Sequence, residues 1–427
     1  MTNARRLRIL STLPLLAAAC GGSSGPSGPP ATELKSDKVR VTAPTVTTDD
    51  AATLAADDLA FAVDMHLALR GQEAGNFVFS QTSISTALAM LYAGAATTTA
   101  AEMAATLHFS LPPDRLHPAF DALDLALTTP PAGAGADAFR LAVANSIWLQ
   151  DGFVVLPSYL DTLAENYGAG MFVEDFMADP EGARKAINGW VSDQTEAQIP
   201  ELFPMGSIVP LTRLVLANAV FFHGDWKVPF NKSQTMNATF HAPTGDVSVP
   251  TMIGEHDAKL WGGGGAGWSA AALDYVGDTT SMIIVVPDAG TFDAFEAGLT
   301  ASGLGPILAG GQNVAAGGDL LMPKFKFDTS VDLNATLSAL GMPEAFSPAA
   351  DFSGIDGAHD LSVQSVIHKA IIAVDEKGTT AAAATGVAIG TNAVVASLVV
   401  NRPFLFFIRH NPTGAILFQG RVLDPSQ

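Results

Sequence analysis

Strand-like runs of high apolarity recur along this sequence and limit what it can fold into: "LVLANAVFF" (214–222), "SMIIVVPD" (281–288), "LLMPKFKFD" (320–328) and "PFLFFIRH" (403–410). A strand with one face in water alternates polar and apolar residues, whereas a strand that is apolar nearly throughout must be covered on both faces. Helical segments between these runs can supply the cover. "LAADDLAFAVDMHLALR" (54–70) places Leu59, Phe61, Val63, Leu67 and Leu69 near helical spacing, and a second helical stretch follows at 83–93. No internal repeat and no second linker divides the rest. The pattern predicts one α+β domain with a large sheet over residues 51–427.

Hydrophobic residues make up 48% of the chain and charged ones 15%, as in a globular protein with a large core. The net charge of −20 argues against nucleic acid or an anionic membrane surface as a partner. The nine histidines have no metal-ligand spacing, and no pair of carboxylates stands out. No metal, cofactor or catalytic constellation is expected. Two motif matches lack their required context. "GGSSG" (21–25) fits a nucleophile elbow but has no strand before it, and "GGGGAG" (262–267) fits a dinucleotide fingerprint but sits in no βαβ unit.

The first twenty residues, "MTNARRLRILSTLPLLAAAC", run from a basic start through a short apolar stretch to small residues and Cys20. This reads as an export signal over 1–19, too short to span a bilayer. It resembles a bacterial lipoprotein signal, which implies cleavage before Cys20, lipidation of that residue and membrane contact only through the lipid. Gly21 is not the Asp that retains many lipoproteins at the inner membrane, so an outer-membrane lipoprotein, periplasmic or cell-surface, is expected. Cys20 is the only cysteine, which excludes an internal disulfide. Residues 20–50, rich in Gly, Pro, Ser and Thr, read as a flexible tether.

A final stretch is harder to place. "DEKGTTAAAATGVAIGTNAVVASLVVNRPFLF" (375–406) joins a charged turn to a long run of small residues without a charge between Lys377 and Arg402. With "VIHKAIIAV" before it and "FIRHNPTGAILFQGRVLDP" after it, the stretch resembles the hinge and closing strands of a serpin, an inhibitor family that traps serine proteases with a mobile loop. "NFVFSQTSISTALAMLYAGA" (76–95), "NSIWLQDGFVVLPSYLDTLAENYGA" (145–169), "LANAVFFHGDWKVPF" (216–230) and "LMPKFKFDTSVDLNATLSALGMPEAFSPAADFSGI" (321–355) resemble further serpin segments in order and spacing. Together they cover roughly 55–425.

The resemblance implies a serpin fold: a large central β-sheet, additional sheets, surrounding helices and an exposed reactive-centre loop at about 377–400. It implies a hinge of Glu376, Gly378, Thr379, Thr380, Ala381, Ala382, Ala383 and Ala384, along which the cleaved loop enters the sheet as a strand. Counting sixteen residues on from Glu376 and nine back from Asn401 gives the same reactive bond, Asn392–Ala393. If Thr379 points inward, alternation sends Ala381, Ala383, Thr385, Val387, Ile389 and Thr391 inward too, while the other face stays small. Ser80, Ser83, Asn218 and His368 match the polar shutter beneath the sheet, and Trp226 matches the aromatic residue of the breach at its top. For each of these alone, ordinary core packing is the commoner explanation.

Asn392 is neither Lys nor Arg, which argues against a trypsin-like target, and Thr391, Ala393, Val394 and Val395 suit a serine protease with a small or apolar specificity pocket, elastase-like or subtilisin-like. A papain-like cysteine protease is a weaker candidate. The protein is expected to be a monomer and not an enzyme. A rival reading is a serpin fold that binds without inhibiting, as a carrier or chaperone; relatives of that kind tend to carry Pro or charge where this chain has Thr379 to Ala384.

Overall fold

The computed structural model describes residues 32–129, 131, 135, 138–263, 265–310, 315–379 and 397–427. Its first element falls where a flexible tether was expected. Strand β1 (Thr32–Leu34) pairs antiparallel with the edge strand Met171–Glu174, Thr32 opposite Val173 and Leu34 opposite Met171. Beyond it Ser36 hydrogen-bonds Asp161, the Val41 amide donates to the Glu165 carbonyl at 2.9 Å, and Arg40 reaches Asp121 at 2.7 Å and Asp124 at 2.6 Å. The tether reading over 20–50 is therefore corrected from Thr32 onward. Composition measures how much apolar surface a segment can bury, but this segment is held by backbone pairing at a sheet edge and by ion pairs.

Thr47 caps the next element, accepting from the Asp50 amide, and Asp49 and Asp50 favour the helix N-terminus electrostatically. This helix, α1 (Thr48–Gln72), begins before its apolar stripe and buries Leu54, Phe61, Met65 and Leu69. Next come β2 (Phe77–Phe79), α2 (Gln81–Tyr92), α3 (Thr97–Thr106), α4 (Pro113–Thr128), β3 (Phe139–Gln150), α5 (Pro157–Tyr167), β4 (Met171–Glu174), α6 (Pro180–Gln194) and β5 (Leu214–Asp225). The middle of the chain forms β6 (Met236–Ala242), β7 (Gly245–Gly262), β8 (Trp268–Asp274), β9 (Thr280–Pro287), α7 (Phe292–Ala297) and α8 (Ala301–Leu308). The rest forms β10 (Ala315–Pro323), β11 (Phe325–Asp332), α9 (Asn334–Leu340), α10 (Ser353–Asp356), β12 (Ser365–Val374), β13 (Gly378–Thr379), β14 (Ser397–Val399), β15 (Phe404–His410) and β16 (Ile416–Val422).

These strands build two sheets, ordered β1-β4-β3-β5-β13-β12-β11 and β14-β10-β7-β8-β9-β15-β16-β2, with β6 attached to β7. The apolar runs behave as their composition requires. β9 is buried at every position and β15 at all but Arg409, whereas β11, at a sheet edge, alternates. Val220 and Phe222 of β5 pack with Phe404 and Phe406 of β15 in a core between the sheets. Helix α2 runs under both sheets, against β3 and β5 of one and β16 of the other. The glycine run after β7 leads into antiparallel β8, so it is no dinucleotide fingerprint. The architecture is α+β, with large sheets and surrounding helices, as expected from the sequence.

The central sheet has one irregular place. β5 and β12 are parallel and pair directly from Val215–Ser365 up to Phe221–Ile371. Above that they part, and β13 stands between them, with Gly378 opposite Asp225, Thr379 opposite Gly224, and Val374 opposite Thr379.

Candidate functional site

The parted head of the sheet gathers residues distant in sequence. Asp375 to Lys377 turn the chain from β12 into β13, and the turn closes through the Asp375 amide to the Gly378 carbonyl at 2.9 Å. The turn's carbonyls are all taken: Trp226 donates from Nε1 to Asp375 O at 2.9 Å and from its amide to Lys377 O at 2.7 Å, and the Phe230 amide donates to Glu376 O at 2.8 Å. Glu376 accepts from Lys324 Nζ at 2.9 Å and Thr235 Oγ1 at 2.8 Å. Burial alone would raise its carboxyl pKa, but these donors hold it below the usual value.

Gly378 fits here because it has no side chain. A Cβ would lie 2.0 Å from the Gly224 carbonyl oxygen, too close for any other residue between β5 and β12. Thr379 is 1% exposed and points inward, its Oγ1 at 2.7 Å from the Tyr275 hydroxyl. Burial pushes the Tyr275 phenol upward, so it remains a neutral hydrogen-bonding group. The Tyr275 ring stacks on Trp226, with centroids 4.6 Å apart and planes 15° apart.

Lower down, a polar row crosses the paired strands. Register places Asn145 of β3 opposite Asn218 of β5, and Asn218 opposite His368 of β12. Ser80 caps α2 and Ser83 lies in its first turn, so the helix end presents both to this row. The Ser80 amide donates to His368 Nε2 at 3.2 Å, which leaves the ring proton on Nδ1, where His368 meets Asn218 Oδ1. Burial lowers the His368 pKa to about 3, so the ring is neutral. Asn218 Nδ2 donates to Ser83 Oγ at 2.8 Å and Ser83 O at 2.9 Å, and Ser83 Oγ donates to Asn145 Oδ1 at 3.0 Å.

The arrangement can be opened at a defined seam. Separating β5 from β12 removes their backbone pairing and the His368–Asn218 bond, while the edges β3–β5 and β11–β12 are left intact. A strand placed in that seam would extend β13 downward in register with both neighbours, restoring the lost backbone bonds.

Of the residues named from the sequence, the structure brings together Trp226, Glu376, Gly378 and Thr379 at the head, and Ser80, Ser83, Asn218 and His368 below. Thr380, Ala381 to Ala384, Asn392, Ala393 and Cys20 lie outside the described residues. Asn145, Tyr275, Lys324 and Thr235 were not anticipated. The signal for Asn145 was a polar residue opening the otherwise apolar "NSIWL"; the other three reach the site from neighbouring strands and loops, which only the tertiary structure reveals. Among the described residues, no cluster of His, Cys, Asp and Glu could hold a metal.

The family model described as Serpin (serine protease inhibitor) matches residues 56–425. An uncharacterized serpin-like protein of Thermococcus kodakarensis is 36% identical over 370 residues, 86% of this chain and 84% of that one. The leukocyte elastase inhibitor of Bos taurus is 36% identical over 384 residues, 87% of this chain and 99% of that one. Among solved structures, Serpin48 of the insect Tenebrio molitor, described as a highly specific serpin, superimposes with a TM-score of 0.77 at 28% identity, covering 87% of this chain and 98% of that one.

Proposed function

The chain belongs to the serpin family, and on that footing we propose that it inhibits a serine endopeptidase by suicide cleavage. The protease serine attacks the Asn392 carbonyl, the Asn392–Ala393 bond breaks, the Ala393 amine leaves, and an acyl-enzyme remains. Residues from Thr380 onward then follow β13 into the seam between β5 and β12. The protease is carried with them, and its oxyanion hole is distorted before water can release it. The elastase inhibitors among the relatives favour a target with a small or apolar pocket, as Thr391, Ala393, Val394 and Val395 do. A papain-like cysteine protease is the weaker target.

One observation carries this reading: Gly378 and Thr379 already stand between β5 and β12, with Thr379 facing the core. Both residues thereby occupy the place from which an inserting strand would continue. Thr380 to Ala384 are small and uncharged, so the strand that follows has no side chain to obstruct its entry. The parting of β5 and β12 is the task we assign to Ser80, Ser83, Asn218 and His368, and entry at the head to Trp226. For the termini, we propose a signal over 1–19 and lipidation at Cys20, placing a monomeric inhibitor on the outer membrane, periplasmic or cell-surface.

The test mixes the full chain with an elastase-like and a subtilisin-like protease, followed by denaturing gels and mass spectrometry. A covalent complex surviving denaturation, with a released peptide beginning at Ala393, supports the proposal. Loop cleavage across a protease panel without a complex, and without a rise in thermal stability after cleavage, overturns it in favour of a binding protein.

A further inference from the structure

Away from the hinge, the first turns of α1 face α4 across a cavity of about 340 Å³, a size that admits a small organic ligand. Its wall is made of small residues, Ala51 and Ala55 from α1 and Ala119 from α4, with Leu123 and the β15–β16 turn residue Pro412 completing it. Ala51 and Pro412 are exposed and mark the mouth. Asp58 also lines the cavity and is 4% exposed, so the one charged residue of a mostly apolar wall, in which Thr48 and Thr413 are the other polar residues, is buried.

That carboxyl has hydroxyl neighbours but no counter-charge. Thr82 Oγ1 lies 3.4 Å from it, but the Thr82 hydroxyl has a shorter acceptor in the Ile416 carbonyl at 2.8 Å, and one hydroxyl carries one proton. The Ser85 hydroxyl favours the ionised form as a hydrogen-bonding neighbour, but the nearby charge is Asp57, of the same sign. Among the described residues Asp58 has no cationic partner, and burial pushes its pKa up to about 6. A buried carboxylate left this way is destabilising, and cavities with one misfit polar group in an apolar wall are where ligands find both orientation and affinity.

We propose that this cavity is a binding site for a small molecule with an apolar body and one protonated amine, the amine seated on Asp58 and the body against the alanine wall. The ammonium supplies the opposite charge that the described neighbours of Asp58 do not, in a charge-assisted hydrogen bond. The net charge of −20 raises the local concentration of such a cation. Asp58 adjoins Thr82, which lies between Ser80 and Ser83 in sequence, so the seated amine touches the helix end that meets the polar row.

The experiment titrates 4-phenylbutylamine and its neutral isostere 4-phenylbutan-1-ol into the full chain by calorimetry at pH 7.5. The amine is expected to bind roughly ten- to a hundredfold more tightly than the alcohol, the range of one charge-assisted hydrogen bond. Asp58→Asn should abolish that preference, and Ala55→Leu, which fills the cavity, should weaken both ligands while the unfolding transition remains cooperative. Equal affinity for amine and alcohol in the unaltered chain overturns the proposal whether or not either variant folds, as does a preference that survives Asp58→Asn.

Discussion

The hydroxyl of Thr379 lies 2.7 Å from that of Tyr275, joining the inward-facing residue of β13 to a ring that stacks on Trp226. The bond makes the hinge part of the sheet's core rather than a segment resting on it. Removing one neutral hydrogen bond costs about 1 kcal/mol, and a buried partner left unpaired adds to that. Tyr275→Phe should therefore lower the thermal midpoint by a few degrees, read by calorimetry at fixed pH. An unchanged midpoint would mean that the two hydroxyls are not coupled in solution.

Charge at position 379 tests loop insertion directly. Thr379 is 1% exposed and its hydroxyl meets that of Tyr275, so burial of an arginine's charge there would cost several kcal/mol. We expect Thr379→Arg to keep the loop cleavable but to raise the molar excess needed to inhibit a protease at least tenfold. The variant would then run as a cleaved product and not as a covalent complex. Full retention of the complex would mean that a charge at this position does not impede insertion of the residues that follow it.

The polar row predicts an acid sensitivity. His368 has its pKa lowered to about 3 by burial, against an ordinary value near 6.5 in the unfolded chain. Between those values the unfolded chain binds the proton and the folded one does not, so stability falls as pH drops from about 6.5 toward 3, by roughly 1.4 kcal/mol per pH unit for this group. His117, lowered to about 4 by burial, contributes in the same direction over a narrower window. Urea midpoints measured from pH 7 to 4 should fall less steeply in His368→Gln than in the unaltered chain. Parallel slopes would show that His368 is already charged in the fold.

Asp58 works with the opposite sign. Its folded pKa of about 6 lies above the ordinary carboxylate value, so the folded state binds the extra proton and the cost of the buried charge is fully present above pH 6. Asp58→Asn should stabilise the protein by up to about 3 kcal/mol at pH 7.5, with the gain fading as pH falls through 6 toward 4. A substitution that destabilises at all pH values would mean that the carboxylate has a partner in solution.

How much of this was legible in the sequence depended on the distance over which each signal acts. The buried strands declared themselves because composition along β9 and β15 reports burial directly. Ser80, Ser83, Asn218 and His368 were nameable only through family resemblance, since each is an unremarkable polar residue among apolar neighbours. Asn145 escaped because its role is a matter of register, and register is decided by pairing and not by local propensity. The same limit explains the error at residues 32–47. Nothing in "TELKSDKVRVTAPTVT" announces the β4 edge or the carboxylates of α4 that hold it.

That segment carries the last prediction. Arg40 bridges Asp121, whose side chain is fully buried, and Asp124, while its own side chain remains 23% exposed. Removing the guanidinium strands Asp121 beneath the surface without a counter-charge, which for a partly solvated pair costs about 1–3 kcal/mol. It also removes the side-chain tie between the segment and α4 named above, leaving the β1–β4 backbone pairing and the Ser36–Asp161 and Val41–Glu165 bonds to hold the segment. Arg40→Ala should therefore lower the unfolding midpoint by several degrees, and in hydrogen exchange the amides of β1 and β4 should lose protection together while those of β12 and β15 do not. If the segment were a tether, Arg40→Ala would change neither the midpoint nor the exchange of β4.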